Sequence, residues 1–367
     1  MEEVLVACPQ ERDRREVAAA GLDGRFRVRF AGPDLDAHSP WEAEPLIEEL
    51  AALPVDGVAG TKDRSALVAS LVAARRSLPG PVPAALVRCQ HKPTTREIGR
   101  RVVPEATPRF GLPGELEPAF VKPAVGRLSQ GYDDRYVQGW QDLVALVGFH
   151  LEVGLIAEEV LTGDEVTLEG YVHHGRVTTI GVTDSVMYPG TRSFERFEYP
   201  SRLPDERLAE LAGVAARLLP ALGFDGGFFN VEFFVPESGP AKVTEVNGRI
   251  ASQFAPLVRA VHGRSTYEAL FELACGRDPG WDPGAPDGVA VSYVLRVFED
   301  ALVEAVPEPG DDLEVLVQPG LRLSEQAGAN DEASYRLAIL VGTGETREEA
   351  VTWCRERARA LAFRLRP

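Results

Sequence analysis

At 367 residues the chain is long enough for two or three domains with ample core, and its 44% hydrophobic and 26% charged residues are those of a globular protein. A net charge of −17 argues against a nucleic-acid backbone as the partner, because such binders need a basic patch. The four cysteines, Cys8, Cys89, Cys275 and Cys354, are far apart with no CxxC, which excludes a disulfide framework or zinc signature.

The opening MEEVLVACPQ has no basic region before a long apolar one, and no apolar run reaches bilayer length, so the expected setting is a reducing cytoplasm with no membrane partner. Residues 4–7 are a short apolar run and 12–20 are helix-compatible. Residues 25–30 alternate like a strand, 41–53 have helical periodicity, 55–59 form a third strand and 63–78 an amphipathic helix. This alternation predicts a small open α/β domain over residues 1–85. The turn from Gly57 to Lys62 lacks P-loop spacing and reads as an ordinary loop ahead of a helix.

A Pro/Gly-rich break at 79–83 ends that domain. Thr94 or Thr95 is then placed to cap a helix running to Val102, with Lys92 just before it. Residues 119–124 form a strand carrying Lys122, a lysine costly to bury unless it meets an anion. The following small-residue loop includes Ser129, Gln130 and Gly131, whose backbone N–H groups could lie over phosphates; a plain surface loop is the alternative.

Residues 139–148 read as helix, and 155–161 as a strand with two adjacent acids. A turn leads to strands at 166–172 and 177–182, joined at His173-His174-Gly175 as a solvated turn. Residues 184–204 read as a long connection carrying Arg192 and Arg196, and long connections are often functional. Helices follow at 205–222 and 265–275. A Pro/Gly/Asp-rich stretch at 276–288 precedes strands at 289–298, 313–318 and 335–341 and a helix at 347–365, predicting a small α+β domain over 281–367. The middle domain spans 86–280.

The chemistry concentrates in VEFFVPESGPAKVTEVNGR, residues 231–249. Val231, Phe233 and Val235 alternate with Glu232 and Phe234, the period of a half-buried strand; Pro236, Ser238, Gly239 and Pro240 supply a turn, and 242–247 return. Glu245 and Asn247 share a face, and the fold of the hairpin brings Glu232 opposite them. Two carboxylates and an amide oxygen together suit Mg²⁺, with Mn²⁺ as the alternative ion. Arg249 nearby can hold a carboxylate or a developing phosphate charge. A solvated hairpin with acids facing water is the bland alternative; the strongly apolar strand cores argue for a packed sheet instead.

Read in order, Lys92, Lys122, the small-residue loop, EEVLTGDE and the E…EVNGR hairpin resemble the ATP-grasp superfamily over about residues 88–276. The resemblance is strongest to stand-alone carboxylate–amine ligases, and the hairpin is also similar to that of biotin carboxylase. It implies an ATP-grasp fold between an N-terminal open α/β domain and a small C-terminal α+β domain. It implies Mg²⁺ on Glu232, Glu245 and Asn247, and ATP phosphates on Lys92 and Lys122, covered by Ser129, Gln130 and Gly131.

Adenine would meet the Glu158 side chain and the backbone of Glu159 and Leu161, and the ribose would meet Glu165. Arg249 would act at the reacting carboxylate, with Arg192 or Arg196 near the terminal phosphate. The implied reaction joins a small-molecule carboxylic acid to an amine with release of ADP, and residues 188–197 and the last domain would shape the substrate pocket. The alternatives are carboxylation through carboxyphosphate and an ATP-binding regulatory protein without turnover. A homodimer is the default expectation for assembly.

Overall fold

The computed structural model describes residues 1–36, 41–126, 134–282, 284–326, 330–331 and 334–367. The chain begins with β1 (Glu3–Ala7), α1 (Glu11–Ala19), β2 (Arg27–Ala31), α2 (Ala43–Ala51), β3 (Gly57–Ala59) and α3 (Asp63–Arg76). The three strands form a parallel sheet in the order β2-β1-β3. From Val4 to Ala7 the central strand is apolar because both its faces are buried. Leu5 and Ala7 face one core, with α2 and α3; Val4 and Val6 face another.

After this sheet come α4 (Pro83–Gln90), α5 (Lys92–Val102), β4 (Phe110–Gly111), β5 (Ala119–Pro123), α6 (Asp134–Leu146) and β6 (Leu155–Glu159). The three strands make a small antiparallel sheet, β4-β6-β5. Next follow β7 (Asp164–His173), β8 (Arg176–Met187), β9 (Phe194–Tyr199), α7 (Asp205–Ala221), β10 (Gly227–Val235), β11 (Lys242–Asn247), α8 (Ala255–His262) and α9 (Thr266–Ala274). The chain closes with β12 (Val289–Val297), β13 (Leu302–Ala305), β14 (Leu313–Val315), β15 (Asn330–Asp331), β16 (Ser334–Gly344), α10 (Arg347–Ala360) and β17 (Arg364–Arg366).

A large antiparallel sheet runs β11-β10-β7-β8-β9-β12-β16-β14. It crosses the expected boundary near residue 281, because β12 pairs with β9. Of the strands in residues 281–367, β12, β14, β15 and β16 therefore extend the central sheet while β13 and β17 pair separately, and α8 and α9 share a core with Val4 and Val6 of the first sheet.

Several local readings change. The segment 184–204 is not a long connection: β8 runs to Met187 and β9 starts at Phe194, leaving a tight turn between them. The hidden signal is a bulge in β9 that breaks the period-two pattern. Helix α5 is capped by His91, not by Thr94 or Thr95; its Nδ1 accepts from the Thr94 N–H at 3.4 Å, and its Nε2 meets the Glu152 carbonyl at 3.0 Å. Accepting at Nδ1 makes Nε2 the donor, a neutral tautomer that burial favours by pushing the imidazole pKa down. Helices α4 and α8 carry Pro at their first turns and were not read from the sequence. The last helix ends at Ala360, five residues before 365. Among the described residues, no helix is long and apolar enough to cross a membrane.

Candidate active site

The hairpin of β10 and β11 sets the site. Glu232 stands directly opposite Glu245, and Asn230 opposite Asn247. Between Glu232 and Phe233 the register shifts, because Thr244 is an extra residue on β11. The bulge turns the Thr244 carbonyl toward two cations: Arg96 Nη2 donates to it at 2.6 Å and Lys122 Nζ at 3.0 Å. Asn247 Nδ2 donates to Asn230 Oδ1 at 2.9 Å and to Glu232 Oε1 at 3.2 Å. With the amide nitrogen so used, its oxygen is the atom available as a metal ligand.

Each lysine is held by a neighbouring element. The Lys92 backbone N–H donates to the Ala124 carbonyl at 2.9 Å, tying the start of α5 to the end of β5. Its Nζ lies 3.0 Å from Glu245 Oε1 and donates to the Gly126 carbonyl at 2.8 Å. Lys122 Nζ lies 2.9 Å from Glu158 Oε2, and Arg96 Nε donates to Glu158 Oε1 at 2.8 Å. Both Glu158 oxygens are thus engaged by cations rather than presented to an adenine edge. Burial raises the Glu158 pKa, but Arg96 and Lys122 outweigh it and the carboxyl lies below its usual range. Burial, and then Arg96, bring the Lys122 ammonium down to about 8 against the pull of Glu158.

Four acids crowd the floor of the site. Burial, then Glu245 and Glu165, push the Glu232 carboxyl up to about 8. Burial raises Glu165 to about 7, with Lys122 opposing and Glu245 adding. Glu169, fully buried, is pushed up to about 8 by burial, although it accepts the Ala251 N–H at 2.8 Å. Glu165, Thr167 and Glu169 pair with Phe234, Glu232 and Asn230, so β7 supplies a third row to the same face. Glu169 was missed, although its period-two spacing from Glu165 was visible in the sequence.

Arg249 leaves the end of β11 and donates from Nε to Asp63 Oδ1 at 2.7 Å. Burial disfavours its charge, but Asp63, Glu232 and Glu245 more than offset that and raise its pKa. Asp63 stands at the start of α3, directly after the turn read as an ordinary loop. A Cβ at Gly60 would collide with the Ser65 carbonyl, so only glycine allows this turn to close over the helix start. Ser65 Oγ caps that start, accepting from Thr61 N–H at 3.1 Å and Lys62 N–H at 3.0 Å. Gln90 Nε2 bonds the Asp63 carbonyl at 2.6 Å and fixes it from α4.

The hairpin acids, the two lysines and Arg249 border one cavity of about 540 Å³, within the ordinary size of a small-ligand site, while Arg96, Glu169 and Asn247 stand behind its lining. It brings together Lys92, Lys122, Glu158, Glu159, Leu161, Glu165, Glu232, Glu245, Arg249 and Arg192, and adds Lys62, Asp63 and Asn230. The guanidinium of Arg192 sits 5.5 Å from the centre of the Phe120 ring.

Arg196 is not among them. The β9 bulge places both Glu195 and Arg196 opposite Val186 on the far face of the sheet, where Arg196 pairs with Glu195 and, at 2.6 Å, with Glu198. Asn247 lies behind the wall, buried between Asn230 and Glu232. Ser129, Gln130 and Gly131 lie outside the described residues. No group of three His, Cys, Asp or Glu that could hold a metal occurs among the described residues. The facing carboxylates of Glu232 and Glu245 do border the cavity, and two such oxygen donors could hold an ion that takes its other ligands from phosphate and water.

No family model matches the chain. Uncharacterized protein y4rH of Sinorhizobium fredii is 26% identical over 288 residues, 72% of this chain and 59% of that protein. A D-alanine--D-alanine ligase of Corynebacterium jeikeium is 29% identical over 164 residues, 40% of this chain and 41% of the ligase. The chain therefore matches less than two thirds of the length of either relative. The crystal structure of an L-amino acid ligase from Bacillus licheniformis superposes with a TM-score of 0.77 over 100% of this chain and 99% of that one, at 17% identity. Sheet order, facing-acid hairpin and full-length superposition agree: the chain has the ATP-grasp fold.

Proposed function

We propose that the protein is an ATP-dependent ligase that activates a carboxylic acid as an acyl phosphate and couples it to an amine. In this reading a carboxylate oxygen of the acid attacks the terminal phosphorus of ATP and ADP leaves. The amine nitrogen then attacks the acyl carbon, loses a proton and expels phosphate. The observation that carries the proposal is the facing pair Glu232 and Glu245, bordered in one cavity by Lys92, Lys122 and Arg249.

Lys92 and Lys122 would bind the phosphates as point charges. Glu165 would accept the ribose hydroxyls, and the backbone of Glu159 and Leu161 would receive adenine. Glu158 would act by holding Lys122 in place. Arg249, kept charged by Asp63, would hold the acid carboxylate and stabilise charge on the transferring group. Arg192 is the basic group we place near the terminal phosphate.

Glu232, Glu245 and Asn247 would hold Mg²⁺, or Mn²⁺. The fit rests on the raised Glu232 carboxyl: burial and two neighbouring acids disfavour its charge, and a divalent ion offsets all three. When bound, the ion neutralises phosphate charge.

The test is phosphate release from ATP over pooled carboxylic acids with pooled amines. Release that requires both pools supports the ligase. Release with bicarbonate and no organic acid would point to carboxyphosphate chemistry, and tight ATP binding without release to a regulatory protein.

A further inference from the structure

We infer that the acid taken by this site carries a large apolar side chain, aromatic rings above all, seated on Phe194, Phe197 and Phe254. The inference rests on the ligase reading above. Phe194 and Phe197 are three residues apart, a spacing that in a regular strand sends side chains to opposite faces. β9 is not regular. Val186 pairs with Arg196, while Met187 pairs with Phe194, so Glu195 is an extra residue. The bulge turns Phe194 to the face of Phe197, and both border the cavity.

The rings form a continuous wall. Phe194 and Phe197 lie 5.0 Å apart between centroids, and Phe197 and Phe254 lie 4.9 Å apart. Met187 and Val294 extend the same wall. Arg296 on β12 donates from Nε to the Phe194 carbonyl at 2.9 Å and so pins the bulge from the neighbouring strand. The bulge thus has two consequences: it removes Arg196 from the cavity and aims an aromatic ring into it.

The path from the reacting end to this wall is one short stretch of chain. Arg249 begins it, Ala251, Ser252 and Gln253 border the cavity, and Phe254 ends it. A carboxylate held at Arg249 therefore directs its side chain along residues 251–253 toward the rings. A large apolar group there gains contact area and stacking. A short side chain leaves the wall uncovered, and a charged one loses its hydration against it.

The test compares kcat/KM in the phosphate-release assay for 3-phenylpropionate and phenylalanine against propionate, alanine and aspartate, with one fixed amine. We expect the aromatic acids to be preferred by roughly a hundredfold, the scale on which a shaped apolar pocket discriminates. Phe194→Ala should raise KM for the aromatic acids about tenfold or more with a smaller change in kcat. Phe194→Leu, which keeps an apolar wall, should restore most of the loss and so exclude misfolding as its cause.

Small or acidic acids turned over as well as the aromatic ones would overturn the inference and leave the ligase standing. So would an unchanged aromatic preference in Phe194→Ala. No phosphate release with any acid would overturn both.

Discussion

Arg249 and Asp63 are 186 residues apart in sequence and joined by a 2.7 Å bond from Nε to Oδ1, with side chains only 13% and 12% exposed. The pair ties the exit of the β10–β11 hairpin to the first turn of α3. An acid at a helix start is favoured by the helix dipole, so Asp63 is held by its own element while it holds Arg249. Asp63→Ala leaves a buried guanidinium without this partner, which should cost about 3 kcal/mol of stability. ADP formation should fall in kcat at least about tenfold, because Arg249 loses its orientation. Denaturant melts and steady-state ADP formation check this; a variant with wild-type kcat would remove Asp63 from the account.

Lys122 supplies a pH dependence. Burial brings its ammonium down to about 8, so it carries a full charge below that pH and loses it above. ATP affinity should therefore be highest below pH 8 and fall as the pH rises through it. Lys122→Arg keeps the charge and should flatten the profile, whereas Lys122→Ala should weaken ATP binding roughly tenfold or more at neutral pH. Calorimetric titration with ATP from pH 6.5 to 9.5 reads both. Unchanged affinity in Lys122→Ala would place the lysine outside the nucleotide site.

In the proposed site Glu232 would link metal binding to stability. Its carboxyl titrates near 8 in the folded protein and from the ordinary 4.5 when unfolded. The folded form therefore binds the proton more tightly across that window. Its contribution to stability is complete below 4.5 and is lost as the pH rises through about 8. A cation competes with that proton, so added Mg²⁺ should raise the melting temperature more at pH 8.5 than at pH 6. Glu232→Gln without metal should melt higher than wild type at pH 8.5, by about 2 °C, and ignore Mg²⁺. Thermal scans at the two pH values, with and without Mg²⁺, check this; an equal Mg²⁺ effect at both would contradict it.

The hairpin was legible because its information is local: alternation sets the faces, and Glu245 and Asn247 are two apart on one strand. Lys122 was legible because a lysine inside an apolar strand needs a reason, and Lys92 because it stands just before a helix in the order the resemblance requires. Asp63, Arg96 and Glu169 act through partners 62 to 186 residues away, and nothing in their own neighbourhood announces those partners. Glu158 was expected to meet adenine through its side chain, and the two cations that engage it instead are visible only in three dimensions. Arg192 and Arg196 looked equivalent in sequence, and a single inserted residue in β9 sends one to the cavity and the other to the far face. The same insertion disguised β9 as loop. The last strands were read as a separate domain because a Pro/Gly/Asp-rich stretch precedes them, but pairing of β12 to β9 is a long-range property of the sheet.

The facing acids of β10 and β11 are the centre of the proposal, and ADP release by Glu245→Gln tests them most directly. With ATP, an acid and an amine that support turnover, wild type should release ADP only when Mg²⁺ or Mn²⁺ is present. The account predicts that Glu245→Gln, folded by its melting curve, releases none above background at any Mg²⁺ concentration. Metal-dependent release at the wild-type rate in that variant would contradict it.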